Sequence, residues 1–198
     1  MVLTDASLLK GRDPVDACRR AVQGGATAVQ ARMKGASARE LAELARALVA
    51  ALPVPVLVND RVDVALAVGA AGAHLGHDDP PLDSLRPSVP PGFLLGMSVG
   101  SEAEAALACR WPADYWSVGP CFGTTNKADA GPPLGSAAFS ALARRAPAGV
   151  PVLAIGGISP ANVATIIRAG AAGVAVIGAV WDATDPTAAA RALRAAFP

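Results

Sequence analysis

Gly170-Ala171-Ala172-Gly173-Val174-Ala175-Val176-Ile177 closes one helical stretch and opens a short β-branched run. The same event occurs at Gly24-Gly25-Ala26-Thr27-Ala28-Val29 and at Gly69-Ala70-Ala71-Gly72-Ala73-His74. Glycine takes up the left-handed backbone that stops a helix, so each segment reads as a helix end passing straight into a strand. Outward from these points, β-branched and apolar runs alternate with Ala/Leu/Arg stretches whose apolar positions recur at helical spacing. The runs 2–4, 28–32, 56–58, 73–75, 94–98, 115–118, 152–155 and 174–177 read as strands. The stretches 14–23, 37–52, 62–68, 102–110, 161–169 and 186–197 read as helices. Eight strand–helix units predict a (β/α)₈ TIM barrel, with 1–198 forming a single compact domain at the small end of the size range. A doubly wound open sheet is the competing architecture, but it normally has fewer strands at this length.

Composition agrees with a folded chain: 53% of the 198 residues are hydrophobic, enough for a sizeable core. With 17 Lys and Arg against 16 Asp and Glu, the net charge of +1 provides no broad field for nucleic acid or an anionic membrane. Any anion must therefore be held by a local cluster. The three cysteines, Cys18, Cys109 and Cys121, lie far apart with no CxxC pair. That argues against a zinc ribbon or a disulfide framework and for a reducing, cytoplasmic setting. The first dozen residues lack the order of a signal peptide, and no apolar run reaches the ~18 residues of a membrane span. Self-association into a homo-oligomer is left open by the sequence.

Two segments interrupt the alternation, the proline-rich 78–92 and the glycine- and proline-containing 119–135. Long irregular stretches inside a compact domain are more often functional loops than spacers. Both follow strands, on the face where barrel enzymes carry out their chemistry. A short helix at 82–86 is the structural alternative for part of the first.

Polar residues gather at the predicted strand ends. Gln30, Arg32 and Lys34 alternate along one, so an extended backbone points them the same way. A guanidinium that grips phosphate oxygens in pairs, a mobile ammonium and an amide together suit a diphosphate. An Arg–Glu surface pair with Lys34 in a turn is the plainer alternative. Asn59-Asp60-Arg61 follows the third strand, and Asp78-Asp79 follow the fourth after His74-Leu75-Gly76-His77. Mg²⁺ is usually held by one or two carboxylates plus substrate phosphate oxygens, so Asp60 and Asp79 are candidate ligands. Helix capping is the alternative for Asp60. His74 reads as a hydrogen-bonded core residue, and His77 as the histidine able to meet solvent or substrate.

Gly156-Gly157 after the seventh strand and Gly178 after the eighth occupy positions where barrels commonly bind phosphate through backbone N–H groups. Two anion sites on one face imply two phosphorylated small-molecule substrates. The loop carrying Thr124, Thr125, Asn126 and Lys127 supplies hydroxyls, an amide and a further cation. Cys121 has no histidine near it in sequence, so it reads as a buried small hydrophobe rather than a nucleophile.

Taken together, these motifs resemble the thiamine phosphate synthase family of (β/α)₈ barrels, which is related to the thiazole tautomerases. The resemblance rests on Gln30-x-Arg32-x-Lys34, Asn59-Asp60-Arg61-Val62-Asp63, His74-Leu75-Gly76 with Asp79, Gly96-x-Ser98, Ala113-Asp114-Tyr115 through Gly119-Pro120 to Lys127, Ile155-Gly156-Gly157-Ile158 and Gly173-Val174-Ala175-Val176. It implies Mg²⁺-dependent joining of 4-amino-2-methyl-5-hydroxymethylpyrimidine diphosphate to a thiazole phosphate, giving thiamine phosphate and pyrophosphate. By the same resemblance, Gln30, Arg32, Lys34, Asn59 and Lys127 hold the pyrimidine diphosphate, and Ser98 contacts the pyrimidine. Arg32, Lys34, Ser98 and Lys127 are the residues expected to act in catalysis. Asp60 and Asp79 bind Mg²⁺, and Thr124, Thr125, Asn126, Gly157, Ile177 and Gly178 take the thiazole phosphate. The chain departs from the family pattern at His77, Gly100, Asn126 and Gly178, where Gln, His, Thr and Ser are familiar. A thiazole tautomerase and a non-catalytic phosphometabolite-binding barrel are the alternatives. The tautomerase pattern expects a histidine after the fifth strand and no downstream acid, whereas this chain has Gly100 and Asp79.

Overall fold

The structure is a computed structural model describing residues 1–9, 11–123 and 131–197. Its strands are β1 (Val2–Leu3), β2 (Val29–Ala31), β3 (Val56–Asn59), β4 (Gly72–Leu75), β5 (Leu94–Val99), β6 (Tyr115–Val118), β7 (Val152–Ile155) and β8 (Gly173–Ala175). They form one eight-stranded sheet in sequence order, every neighbouring pair parallel. The ends meet: Val2 bridges Val176 in parallel, and Leu3 N–H donates to the Val176 carbonyl at 2.9 Å. This is the expected (β/α)₈ barrel.

The helices are α1 (Ala6–Leu9), α2 (Pro14–Gln23), α3 (Ala38–Ala51), α4 (Val62–Val68), α5 (Leu82–Leu85), α6 (Glu102–Ala108), α7 (Gly135–Ala143), α8 (Val163–Arg168), α9 (Gly178–Trp181) and α10 (Pro186–Arg194). Their starts follow local chemistry. Asp13 caps α2 by accepting from Asp16 N–H, with Pro14 at the first helical position, and Ser37 and Glu40 form a reciprocal capping box on α3. The glycine segments behave as read: Gly25, Gly69 and Gly170 have φ of +103°, +68° and +105°, ending the preceding helices in a backbone that other residues resist.

Strand alternation divides the side chains between two environments. Val29, Ala31, Val58, Leu75, Leu95, Met97, Trp116, Val118 and Ala154 are buried beneath the helices in the main apolar cluster. Fully burying a valine, leucine or methionine side chain of this set contributes about 1.5–3 kcal/mol. Their alternates Gln30, Asn59, His74, Ser98, Ser117 and Ile155 line the axial space instead. Among the described residues, no helix is long and apolar enough to cross a membrane.

Candidate active site

Among the described residues, cavities open at both ends of the barrel. One of about 500 Å³ is at the N-terminal end and is lined largely by aliphatic groups, among them Val2, Ala28, Leu57, Leu94, Ala190 and Leu193. The other, about 1000 Å³, opens at the C-terminal strand ends and is lined by Gln30, Arg32, Asn59, His74, Ser98, Glu104, Ser117 and Asp182 together with the glycines of the β6, β7 and β8 loops. Convergent polar groups on a concavity make the second the candidate site. It also sits on the face that barrel enzymes use.

Its floor is a buried polar network. His74 on β4 is 6% exposed and spans two partners: Nδ1 lies 2.9 Å from the Tyr115 hydroxyl and Nε2 lies 3.0 Å from Ser98 Oγ. The core reading of His74 therefore holds, and its hydrogen bonds also orient a residue of the candidate site. The Tyr115 ring stacks on the imidazole with centroids 5.4 Å apart. Gly96 gives that ring its room, because a Cβ there would lie 2.1 Å from Tyr115 Cζ. Burial pushes the Tyr115 phenol well above its usual range, the Asp114 carboxylate adds to the rise, and the Gln30 amide opposes it. Tyr115 thus stays a protonated hydrogen-bonding group.

Arg32 sits at the cavity wall beside β1. Its backbone N–H donates to Thr4 Oγ1 at 2.8 Å, and the Thr4 hydroxyl donates to the Arg32 carbonyl at 2.8 Å. Its guanidinium meets Asp5 at 2.9 Å, with the two side chains only 8% and 14% exposed. Asp5 also accepts from the Ser7 amide at 3.1 Å and the Ser7 hydroxyl at 2.5 Å. Burial pushes the Asp5 carboxyl up, but the Ser7 hydroxyl and the Arg32 guanidinium outweigh it and hold the group below its ordinary value. A guanidinium has five donors in a planar fork, so one contact to Asp5 fixes its plane while leaving donors for a ligand. The alternative of an exposed Arg–Glu pair does not hold, since Arg32 is buried and its partner is Asp5.

The candidate metal ligands follow adjacent strands. Asp60 has a left-handed backbone, φ 61°, and its N–H donates to the His74 carbonyl at 2.8 Å, which ties the β3 end to β4. It does not cap α4, whose N-cap is Arg61 with no side-chain cap bond. Asp79 Oδ2 accepts from Gly76 N–H at 2.7 Å, closing a turn over 76–79 at the end of β4. His77 lines the cavity with its side chain 59% exposed, as expected of the more accessible histidine. Neither Asp60 nor Asp79 is among the described residues lining the cavity, but both offer oxygen donors, and Mg²⁺ is usually held by a pair of carboxylates completed by substrate phosphate and water. No cluster of three or more His, Cys, Asp or Glu occurs among the described residues, and such a pair needs none.

Of the residues singled out in the sequence, Gln30, Arg32, Asn59, Ser98, Gly157, Ile177 and Gly178 line the one cavity. Lys34 lies in the turn after β2, beyond the strand, so strand alternation does not carry it with Gln30 and Arg32. Thr124, Thr125, Asn126 and Lys127 lie outside the described residues. The Gly156-Gly157 pair has φ of +91° and +62°, and a Cβ on Gly156 would lie 2.6 Å from Pro120. Phe122 N–H donates to the Gly156 carbonyl at 3.0 Å. These glycines therefore let the β7 loop pack against the β6 loop, as well as bringing backbone to the cavity. Cys121 is fully buried, and burial pushes its thiol up to about 12, which agrees with its reading as inert.

Sequence reasoning missed Asp5, the link from Tyr115 through His74 to Ser98, and Glu104. Glu104 faces the cavity while accepting from Gly100 N–H at 2.9 Å and the Ser101 hydroxyl at 3.1 Å. The S-x-x-E pattern at 101–104 is the signal that could have found it, because it is the sequence signature of a capping box; in the fold Ser101 caps α6 and the Glu104 carboxylate takes the Gly100 N–H instead.

A family model described as thiamine monophosphate synthase matches residues 1–180. A "Thiamine-phosphate synthase" of Roseiflexus castenholzii is 48% identical over 97% of this chain and 85% of the relative. One of Methanoculleus marisnigri is 48% identical over 98% of this chain and 92% of the relative. Among solved structures, "Thiamine phosphate pyrophosphorylase from Pyrococcus furiosus" superposes with a TM-score of 0.86 at 36% identity, covering 98% of this chain and 93% of the other.

Proposed function

The chain belongs to the thiamine monophosphate synthase family and carries out its condensation, and we propose that the cavity at the C-terminal mouth of the barrel is where it does so. The reaction joins 4-amino-2-methyl-5-hydroxymethylpyrimidine diphosphate to a thiazole phosphate and releases pyrophosphate. The chemical demand is loss of diphosphate from the pyrimidine methylene, followed by attack of the thiazole nitrogen on that carbon. The exocyclic amine of the pyrimidine spreads the developing positive charge. No protein nucleophile is required, so the protein contributes positioning and electrostatic stabilisation.

In this reading Arg32, Lys34 and Lys127 neutralise the departing diphosphate, Gln30 and Asn59 help to hold it, and Ser98 contacts the pyrimidine. The Asp5–Arg32 pair presents the guanidinium in a fixed plane before substrate arrives, so little reorganisation accompanies the reaction. His74 holds Ser98 Oγ, and Tyr115 holds His74 in turn. Asp60 and Asp79 hold Mg²⁺, which when bound adds positive charge against the leaving group's oxygens. Thr124, Thr125 and Asn126, with Gly157, Ile177 and Gly178, take the thiazole phosphate. One barrel carries both substrates and acts in the cytoplasm, a setting that the free thiols of Cys18, Cys109 and Cys121 favour.

The observation that carries this assignment is the convergence of Gln30, Arg32, Asn59, Ser98, Gly157, Ile177 and Gly178 on one cavity from separate strand ends. Incubation with both substrates and Mg²⁺ tests it. Thiamine phosphate and pyrophosphate are expected in equal amounts, only when both substrates are present and only with the metal. Pyrophosphate release from the pyrimidine substrate at an equal rate without the thiazole would contradict it.

A further inference from the structure

On β6 the side chains alternate strictly: Trp116 and Val118 are fully buried in the apolar cluster, whereas Ser117 faces the axis and lines the upper cavity. Strand register sets Ser117 beside Ser98 of β5 on one side and Leu153 of β7 on the other. Ser117 is 4% exposed, and among the described residues its Oγ has no hydrogen-bond partner. A buried hydroxyl left unpaired is costly, and most buried polar atoms in folded proteins are paired. Stability alone would fill this position with an apolar group, as it does at Ile155 and Ala175, which line the same cavity.

A second atom on the same cavity that is unpaired among the described residues is Oε1 of Gln30, a residue 2% exposed. Gln30 is on β2 and Ser117 on β6, four strands apart in a closed ring of eight, so they face each other across the axis. Amide Oε1 can only accept, whereas a hydroxyl can also donate. A flat heteroaromatic ring with an amine on one edge and an unprotonated ring nitrogen on another meets both requirements.

We propose that Ser117 is a substrate-contact residue whose hydroxyl donates to a ring nitrogen of the aminopyrimidine, helping to select that ring, while Gln30 Oε1 accepts from its exocyclic amine. The proposal rests on the pyrimidine diphosphate reading of the cavity. Ser117 makes no claim on the diphosphate, so its removal separates ring recognition from anion recognition.

The test compares the wild-type chain with Ser117→Ala, titrated calorimetrically with the pyrimidine diphosphate and, separately, with inorganic pyrophosphate, both with Mg²⁺. Thermal unfolding of each ligand-free protein is measured alongside. Losing one neutral hydrogen bond predicts about three- to tenfold weaker binding of the pyrimidine diphosphate. Pyrophosphate affinity is unchanged, and the ligand-free variant unfolds at the same temperature as wild type or higher. The proposal is overturned by pyrimidine diphosphate affinity within about twofold of wild type, by equal losses for both ligands, or by a lowered unfolding temperature, which would mean that the hydroxyl has a structural partner. If wild type itself binds the pyrimidine diphosphate no better than pyrophosphate, the reading of the cavity fails along with the proposal.

Discussion

In Asp5→Asn, the carboxylate that meets the Arg32 guanidinium at 2.9 Å becomes a neutral amide, while the cation stays in its 8% exposed position. At an effective dielectric constant of about 20, two unit charges at that separation attract by about 6 kcal/mol. Desolvation of both ions offsets part of this, but the variant does not recover the share belonging to Arg32. Removing one member of a buried pair costs about 3–5 kcal/mol, and because asparagine still offers an acceptor oxygen, we expect about 3 kcal/mol at pH 7. The pH dependence has a definite sign. The Asp5 carboxyl is held below its ordinary value in the folded state, so its stabilisation is present above the unfolded-state value, about 3.9, and is lost as pH falls through the folded-state value. The gap between wild type and variant should therefore be widest at pH 7 and narrow at an acid pH below the ordinary carboxylate range. Urea unfolding followed by the fluorescence of Trp116 and Trp181 at both pH values measures it. A loss under about 1 kcal/mol at pH 7, or a gap that does not narrow in acid, would refute the assignment of Asp5 as the anchor of Arg32.

Other substitutions probe the remaining parts of the site. Asp79→Ala should abolish metal-dependent turnover while leaving the far-ultraviolet circular dichroism unchanged, and an undiminished rate would remove Asp79 from the metal assignment. Gly156→Ala places a Cβ on a residue with φ +91° and 2.6 Å from Pro120. It should lower the urea midpoint by an amount equivalent to about 2 kcal/mol, and an unchanged midpoint would contradict the packing of the β7 loop on the β6 loop. Thiol titration at neutral pH should find Cys18 and Cys121 unreactive until the chain unfolds, because burial pushes both thiols up to about 12. Rapid modification of all three cysteines in the native protein would contradict that burial.

The barrel was legible because its signals are local and repeated. Gly25, Gly69 and Gly170 stop helices where the sequence says they should, and α2 and α4 span the residues that their apolar spacing indicates. The one-turn helices α1 and α9 carry too few residues for a period to be visible. α7 was missed because its small residues, Gly135, Ser136, Ala137 and Ala138, hardly distinguish one face from another.

At the site, residues that alternate along strands were readable, so Gln30, Asn59 and Ser98 were found. What joins them was not. The Arg32–Asp5 pair joins the segments that follow β2 and β1, and the link from Tyr115 through His74 to Ser98 crosses three strands. Both depend on register, which a single sequence does not state. Alternation from Gln30 through Arg32 to Lys34 needs an extended backbone to position 34, but β2 ends at Ala31 and Lys34 lies in the turn that follows.

The most direct test of the central claim is a crystal structure of the chain soaked with the pyrimidine diphosphate and Mg²⁺. The diphosphate is expected at the C-terminal mouth within hydrogen-bonding distance of Arg32 and Asn59, with the metal between it and the carboxylates of Asp60 and Asp79, and the ring between Ser98 and Gln30. A diphosphate bound elsewhere, with the upper cavity holding only solvent, would contradict the account.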